Sequence, residues 1–106
     1  MNVRKYRWSK HYESAEEELL GYLAAKNIEA TRWTADEMQA FEPHVEPVDQ
    51  QLWCAEGSII YTINNQRFSI QPGDTLEIPA NTYYEATAGI SGCVCYQLLH
   101  PATPQS

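Results

Sequence analysis

Residues 41–49, FEPHVEPVD, carry the pair of side chains best placed for chemistry. Pro43 and Pro47 exclude a helix interior and favour extended or looped backbone. His44 and Glu46, two residues apart on such a segment, therefore project the same way. An imidazole beside a carboxylate can enter a nitrogen-and-oxygen metal site, and a hydrogen-bonded loop histidine is the alternative reading of His44. Two other groups are weaker candidates. Glu16, Glu17 and Glu18 are consecutive, and consecutive residues on a helix do not converge on one point, so they read as a solvated first turn. Cys93 and Cys95 stand one residue apart in a strand-like run, where they share a face but seldom reach disulfide geometry. With Cys54 they make an odd number, and buried thiols are the expectation. A soft-metal site would need further Cys or His close in sequence, and there are none.

The elements that must position these groups are mostly strands. Ile59, Tyr61 and Ile63 alternate with Ile60 and Thr62, Phe68 and Ile70 with Ser69, and Leu76 and Ile78 with Glu77, the period of half-buried strands. Asn64-Asn65 falls where a two-residue hairpin needs positive φ. Gln71-Pro72-Gly73-Asp74 closes the next corner, since Pro sets φ and Gly permits the left-handed conformation. Three short strands cannot bury both faces alone, so they imply a sandwich or barrel. Upstream, residues 2–9 read as an extended segment able to add to a sheet edge. Ser14 with Glu17 forms a capping box, and Ala15, Leu19, Tyr22, Leu23 and the stem of Lys26 form the apolar stripe of a helix stopped at Asn27. Residues 28–34 and 50–55 are strands, 35–40 tolerate one helical turn, and residues 85–88 and 93–99 are strands joined by a turn at 89–92. Trp33, Phe41, Trp53, Tyr61 and Tyr96 are core residues first, although aromatics around a few polar groups also describe a small-molecule pocket.

At 106 residues the chain is long enough for one modest core. Fourteen acidic against seven basic residues argue against nucleic acid, which requires a basic face. Arg4, Lys5, Arg7 and Lys10 are basic with no acid among the first ten residues, so a basic strand lying on an acidic body, its own or a partner's, is expected. Without a charged-then-apolar leader or a long apolar run, the sequence reads as cytoplasmic and not membrane-bound.

The glycine spacing and the Pro-Gly-Asp, Ile-Pro-Ala and Tyr run of residues 72–84 resemble the cupin family of small jelly-roll barrels over about residues 41–99. Counted back from Gly57, the earlier cupin motif places its two histidines at His44 and Glu46, its glutamate at Gln50 and its first glycine at Met38. Counted on from Gly73, the later motif finds Pro79 in place, Asn81 where glycine is usual and Tyr84 where the last histidine stands. The resemblance implies a mainly β jelly-roll barrel over residues 41–100. Residues 1–40 would form a strand and outer helix of the same domain, and 101–106 a disordered tail.

Typical cupins hold a divalent metal with three histidines and one glutamate, and the corresponding positions here are His44, Glu46, Gln50 and Tyr84. The resemblance therefore implies either a divalent ion (Mn, Fe, Ni or Zn) on these four residues, or a polar network in which Tyr84 hydrogen-bonds Glu46 or Gln50 without an ion. The leading functional expectation is a module that binds a small organic ligand inside the barrel, with His44, Glu46, Gln50 and Tyr84 as polar anchors among Trp33, Trp53 and Tyr96. The alternatives are a metal-dependent or metal-free enzyme of isomerase, lyase or dioxygenase type, with Glu46 as general base and Tyr84 or His44 as general acid on a sugar-like or keto-acid substrate, and a structural or regulatory dimer without ligand. Small cupins usually pair as homodimers, often exchanging an N-terminal strand.

Overall fold

The computed structural model describes residues 3–9 and 16–100. Two long strands, β4 (Gln50–Ile63) and β7 (Tyr83–Leu99), pair antiparallel along most of their length and carry the other strands on their flanks. The first halves of the pairing differ from the second. Residues 50–54 of β4 and 93–99 of β7 belong to one layer, completed by β6 (Asp74–Ile78) with β1 (Arg4–Arg7) on one side and β2 (Thr31–Ala35) on the other. Residues 59–63 of β4 and 83–88 of β7 belong to a second layer, flanked by β5 (Gln66–Ile70) and β3 (Ala40–Val45). The register shifts between Cys54 and Glu56 and again between Gly57 and Ile59, and there the sheet folds over itself. The turn expected at 89–92 lies inside one strand: these residues leave the β4 ladder, which pairs Gly57 with Cys93 and resumes at Ile59 with Ala88.

Local signals act where the sequence places them. Asn64 and Asn65 have φ of 51° and 64°, the left-handed pair of a two-residue hairpin that sets Ile63 against Gln66. At the next corner the Asp74 amide donates to the Gln71 carbonyl at 2.9 Å. Helix α1 (Glu16–Ala25) ends in a Schellman closure: Asn27 has φ of 60°, and the amides of Ile28 and Asn27 donate to the carbonyls of Leu23 and Ala24. That closure moves the start of the following strand to Thr31. Residues 36–39 form a turn, not a helical one, in which Gln39 Oε1 accepts from the Asp36 amide. Ser14, Ala15 and the 101–106 tail lie outside the described residues.

The inner space between the layers is filled by Leu52, Cys54, Ile59, Tyr61, Ile63, Ile70, Leu76 and Ile78, with Cys93 and Cys95 beside Cys54. All three thiols are free and buried, and Cys54 faces Cys95 across the ladder. Contact with the Cys54 and Cys93 thiols, and then burial, pushes the Cys95 thiol far above its ordinary range. On the outer face of the first layer, Leu19 and Leu23 of the helix close over Trp53, Ala55 and Tyr96, forming a second apolar cluster. Among the described residues no helix is long and apolar enough to cross a membrane.

The basic N-terminal strand lies on the acidic edge of its own chain. Arg4 Nε meets Glu77 at 3.0 Å, Arg7 Nη1 meets Asp74 at 2.9 Å, and the Tyr6 hydroxyl donates to Glu77 at 3.2 Å. Glu16 is more than a solvated first-turn acid, since it accepts from Arg32 Nε at 2.7 Å and from the Tyr96 hydroxyl at 2.6 Å.

Met38 has φ of 56° and Asn81 φ of 62°, the left-handed region in which glycine is unstrained. The resemblance puts glycine at both positions, and the backbone at each has the conformation that glycine favours. Asn tolerates it; Met does not, and its side chain is exposed, so nothing packs in return. Met38→Gly is expected to raise stability by about 1 kcal/mol, the cost of a left-handed conformation for an L-residue. The check is a rise in melting temperature of roughly 5 °C.

Candidate functional site

Strands β3 and β7 bring the chemical residues together. In their antiparallel register His44 stands opposite Tyr84 and Val45 opposite Tyr83, after a bulge between Phe41 and His44 that contains Pro43. Pro43 has no amide hydrogen to give the ladder, which is why the irregularity sits there. The loop after β3 is tied to the Pro79–Asn81 bend: the Asn81 amide donates to the Glu46 carbonyl at 2.7 Å, and the Ala80 amide to Asp49 Oδ1 at 2.7 Å. His44 and Glu46 project together as expected, with His44 Nε2 and Glu46 Oε1 2.5 Å apart. The His44 ring meets the Tyr84 ring edge-on, centroids 5.9 Å apart.

Behind this pair lies an amide relay. Gln50 is buried, and its Oε1 accepts from Gln97 Nε2 at 2.7 Å. Burial raises the Tyr84 phenol above its ordinary range; Gln50 opposes that rise and the Glu46 charge adds to it. The phenol is therefore a proton donor at neutral pH. Tyr61 packs against Tyr84 with centroids 5.7 Å apart, and burial holds its phenol well above the usual value.

These groups border a cavity of about 500 Å³ between the layers. Its floor is Tyr61, Tyr84 and Ala86, all buried, and its aromatic wall is Trp33 against Phe41, edge to face at 5.6 Å. Glu46 and Gln97 are half-buried on its side, and Thr31, Thr34, Glu42 and His44 form an exposed rim. Of the expected pocket residues, His44, Glu46, Trp33 and Tyr84 line this cavity, and Gln50 supports it from behind. Trp53 and Tyr96 do not reach it. They face the other way, under the helix, because both faces of the first layer are covered and an apolar residue can serve either. The lining residues missed in the sequence are Thr31, Thr34, Glu42, Ala86 and Gln97; only Gln97 had a signal, phase, since it continues the inward alternation of Cys93 and Cys95 as a polar side chain.

Structural comparison matches folds of the same design. A DUF861 family protein from Thermotoga maritima superposes with a TM-score of 0.67 at 15% identity over 93% of this chain and 100% of that one. An RmlC-like cupin from Shewanella frigidimarina matches with a TM-score of 0.62 at 18% identity over 69% of this chain and 65% of that one. The chain has the cupin fold. An acireductone dioxygenase from Bacillus anthracis, with a cadmium ion in its active centre, has a TM-score of 0.67 at 14% identity over 92% of this chain and 77% of that one. No family model matches the sequence, and no curated protein does.

Of the four positions that the resemblance matches to cupin metal ligands, His44, Glu46 and Tyr84 line this cavity and Gln50 lies outside its lining, so the chemistry of that donor set decides whether an ion fits. It does not fit. His44 Nε2 and Glu46 Oε1 are committed to each other, the Gln50 carbonyl oxygen accepts from Gln97, and the Tyr84 phenol holds its proton more tightly than usual. A divalent ion would have to break that network and deprotonate a phenol that burial already protects. Among the described residues no three His, Cys, Asp or Glu side chains converge on a metal-sized point.

Proposed function

We propose that this cupin-fold protein binds a small organic ligand in the cavity between its two layers, anchored by His44, Glu46 and Tyr84 and without a metal. One observation carries the reading: a cavity of about 500 Å³ combines a buried aromatic floor and wall with a few converging polar groups. That volume falls in the range of small-molecule sites, and apolar lining with sparse polar anchors is their usual composition. Tyr84 supplies a donor, Glu46 an acceptor, and the Gln97–Gln50 pair behind them fixes the geometry.

A ligand that binds only the folded chain raises its melting temperature by mass action. At a hundredfold excess over Kd the gain is about 2.7 kcal/mol, roughly 10 °C or more here. A metabolite library screened by thermal shift is expected to contain such molecules, with the shift lost in Trp33→Ala. A library in which nothing shifts the wild-type chain overturns the reading.

The His44–Glu46 contact favours a second reading, a metal-free enzyme. A carboxylate that holds an imidazole beside a protonated phenol is a proton-transfer arrangement, with Glu46 as general base and Tyr84 as general acid. Glu46→Gln and Tyr84→Phe would then each lower kcat by about a hundredfold or more while leaving the melting temperature within a few degrees. Turnover that survives both substitutions removes these assignments.

A further inference from the structure

We infer that the ligand of this cavity is an organic cation, a quaternary or substituted ammonium compound held among aromatic rings and carboxylates. The inference rests on the ligand-binding reading above and narrows it to one chemical class.

Three observations converge. First, Trp33, Phe41, Tyr61 and Tyr84 all line the cavity, with Trp33 and Phe41 inclined at 76° and Tyr61 and Tyr84 at 48°. The four rings come from four strands, β2, β3, β4 and β7, in both layers, so they border the space from more than one side. The face of an aromatic ring carries partial negative charge and attracts an ammonium group. Second, the charged side chains at the cavity are Glu42 and Glu46, and no Lys or Arg lines it. The cations of the basic strand are engaged elsewhere, Arg4 at Glu77 and Arg7 at Asp74, and Arg32 on β2 is turned to Glu16. An anionic ligand would meet Glu46 on the side of the cavity and Glu42 at its exposed rim, with the His44 imidazole the facing group that could offset them. Third, most of the surface that faces the cavity is carbon, from Trp33, Phe41, the Tyr61 and Tyr84 rings and Ala86, which suits the carbon substituents of an ammonium group. An ammonium group substituted with methyl or methylene carbons needs no hydrogen-bond partner for its charge.

The ionisable groups that face this space are Glu42 and Glu46, the His44 imidazole, and the Tyr61 and Tyr84 phenols. Burial keeps both phenols protonated, so the two rings present neutral aromatic faces. The net charge of −7 draws a cation toward the protein before any contact forms.

The test uses the full chain and three probes of one shape: choline, its neutral carbon isostere 3,3-dimethyl-1-butanol, and the anion 3,3-dimethylbutanoate. Binding is read by titration calorimetry and by chemical-shift changes at the Trp33 indole. Choline is expected to bind about tenfold or more tighter than the neutral isostere, and the anion not at all. Trp33→Leu, which keeps an apolar side chain but removes the ring, and Glu46→Gln, which removes the charge, are each expected to weaken choline about tenfold. Equal or tighter binding of the neutral isostere, or binding of the anion, overturns the inference. If choline leaves the cavity untouched while a neutral or anionic library molecule occupies it, the cationic assignment fails and the binding reading stands. If no molecule of any charge binds, both fail.

Discussion

Gly57→Ala is expected to destabilise the protein by about 3 kcal/mol. Gly57 sits between the two register shifts of β4, with φ of 72°, where the sheet folds from one layer into the other. A Cβ at that position would stand 2.1 Å from the Gly92 carbonyl oxygen and 2.9 Å from the Gly92 carbonyl carbon. Both are backbone atoms of the neighbouring strand, so no side chain can swing aside. The left-handed conformation alone costs an alanine about 1 kcal/mol. Forcing β7 away from β4 adds the penalty of overpacking, about 2 kcal/mol. The total corresponds to a fall in melting temperature of roughly 15 °C. In urea the midpoint should fall while the slope is unchanged, since the folded state remains as compact. Gly21→Ala is the control: it lies inside α1 with nothing within 4 Å of the added carbon, and it is expected to stabilise by about 0.5 kcal/mol. A Gly57→Ala chain within about 1 kcal/mol of wild type would show that the fold-over yields without strain. The consequence reaches the cavity, because this bend sets the spacing between the layer that carries Tyr61 and Tyr84 and the layer that carries Trp33.

The residues that specify backbone were the legible ones. Asn64-Asn65, the Gln71–Asp74 corner and Asn27 each take the conformation their chemistry favours, and each lies at an element boundary where the local rule has no competitor. The Pro43 and Pro47 spacing likewise gave the common direction of His44 and Glu46. Tyr84 and Gln50 entered only through motif alignment, since nothing local marks a tyrosine forty residues from His44, or a glutamine six residues from it, as belonging to the same cluster. Side assignment was the illegible part. Along β4, Leu52 and Cys54 point between the layers while Trp53 and Ala55 point under the helix, and all four are apolar. An alternation of apolar with apolar carries no phase, so Trp53 and Tyr96 could not be separated from the cavity residues by pattern. The continuity of β7 through residues 89–92 was hidden for a related reason. Two glycines read as a turn in isolation, and only the partner strand, whose ladder resumes at Ile59 with Ala88, makes them a bulge.

Asp74→Ala is the second large effect, expected at about 3 kcal/mol, because one buried carboxylate serves two structures at once. Asp74 is 4% exposed. Its Oδ2 accepts from the Gln71 amide at 2.9 Å, closing the Pro72-Gly73 corner, and its Oδ1 accepts from Arg7 Nη1 at 2.9 Å, fastening β1 to β6. Lys5 Nζ adds a longer contact at 3.9 Å. Alanine leaves the Gln71 amide without its side-chain acceptor and takes the carboxylate away from the half-buried Arg7. Breaking a fully buried ion pair by removing one partner costs about 3–5 kcal/mol. The Arg7 side chain is 29% exposed, which brings the share of the ion pair down to about 1 kcal/mol, and the corner amide left unsatisfied supplies the rest. Asp74→Asn separates the two roles: an amide oxygen can still accept from Gln71, so only the charge is lost and about 1 kcal/mol is expected. The order Ala above Asn above wild type in urea unfolding, together with faster amide exchange of the Tyr6 and Arg7 strand in both variants, is the predicted pattern. Equal losses for Ala and Asn would assign the whole effect to the ion pair. A loss below about 1 kcal/mol for Ala would mean that neither the corner nor the strand depends on this carboxylate. Because β1 covers the outer edge of β6, its release would expose unpaired backbone of the first layer to other chains. The Ala variant is therefore also expected to aggregate at concentrations at which wild type stays dispersed, as light scattering would record.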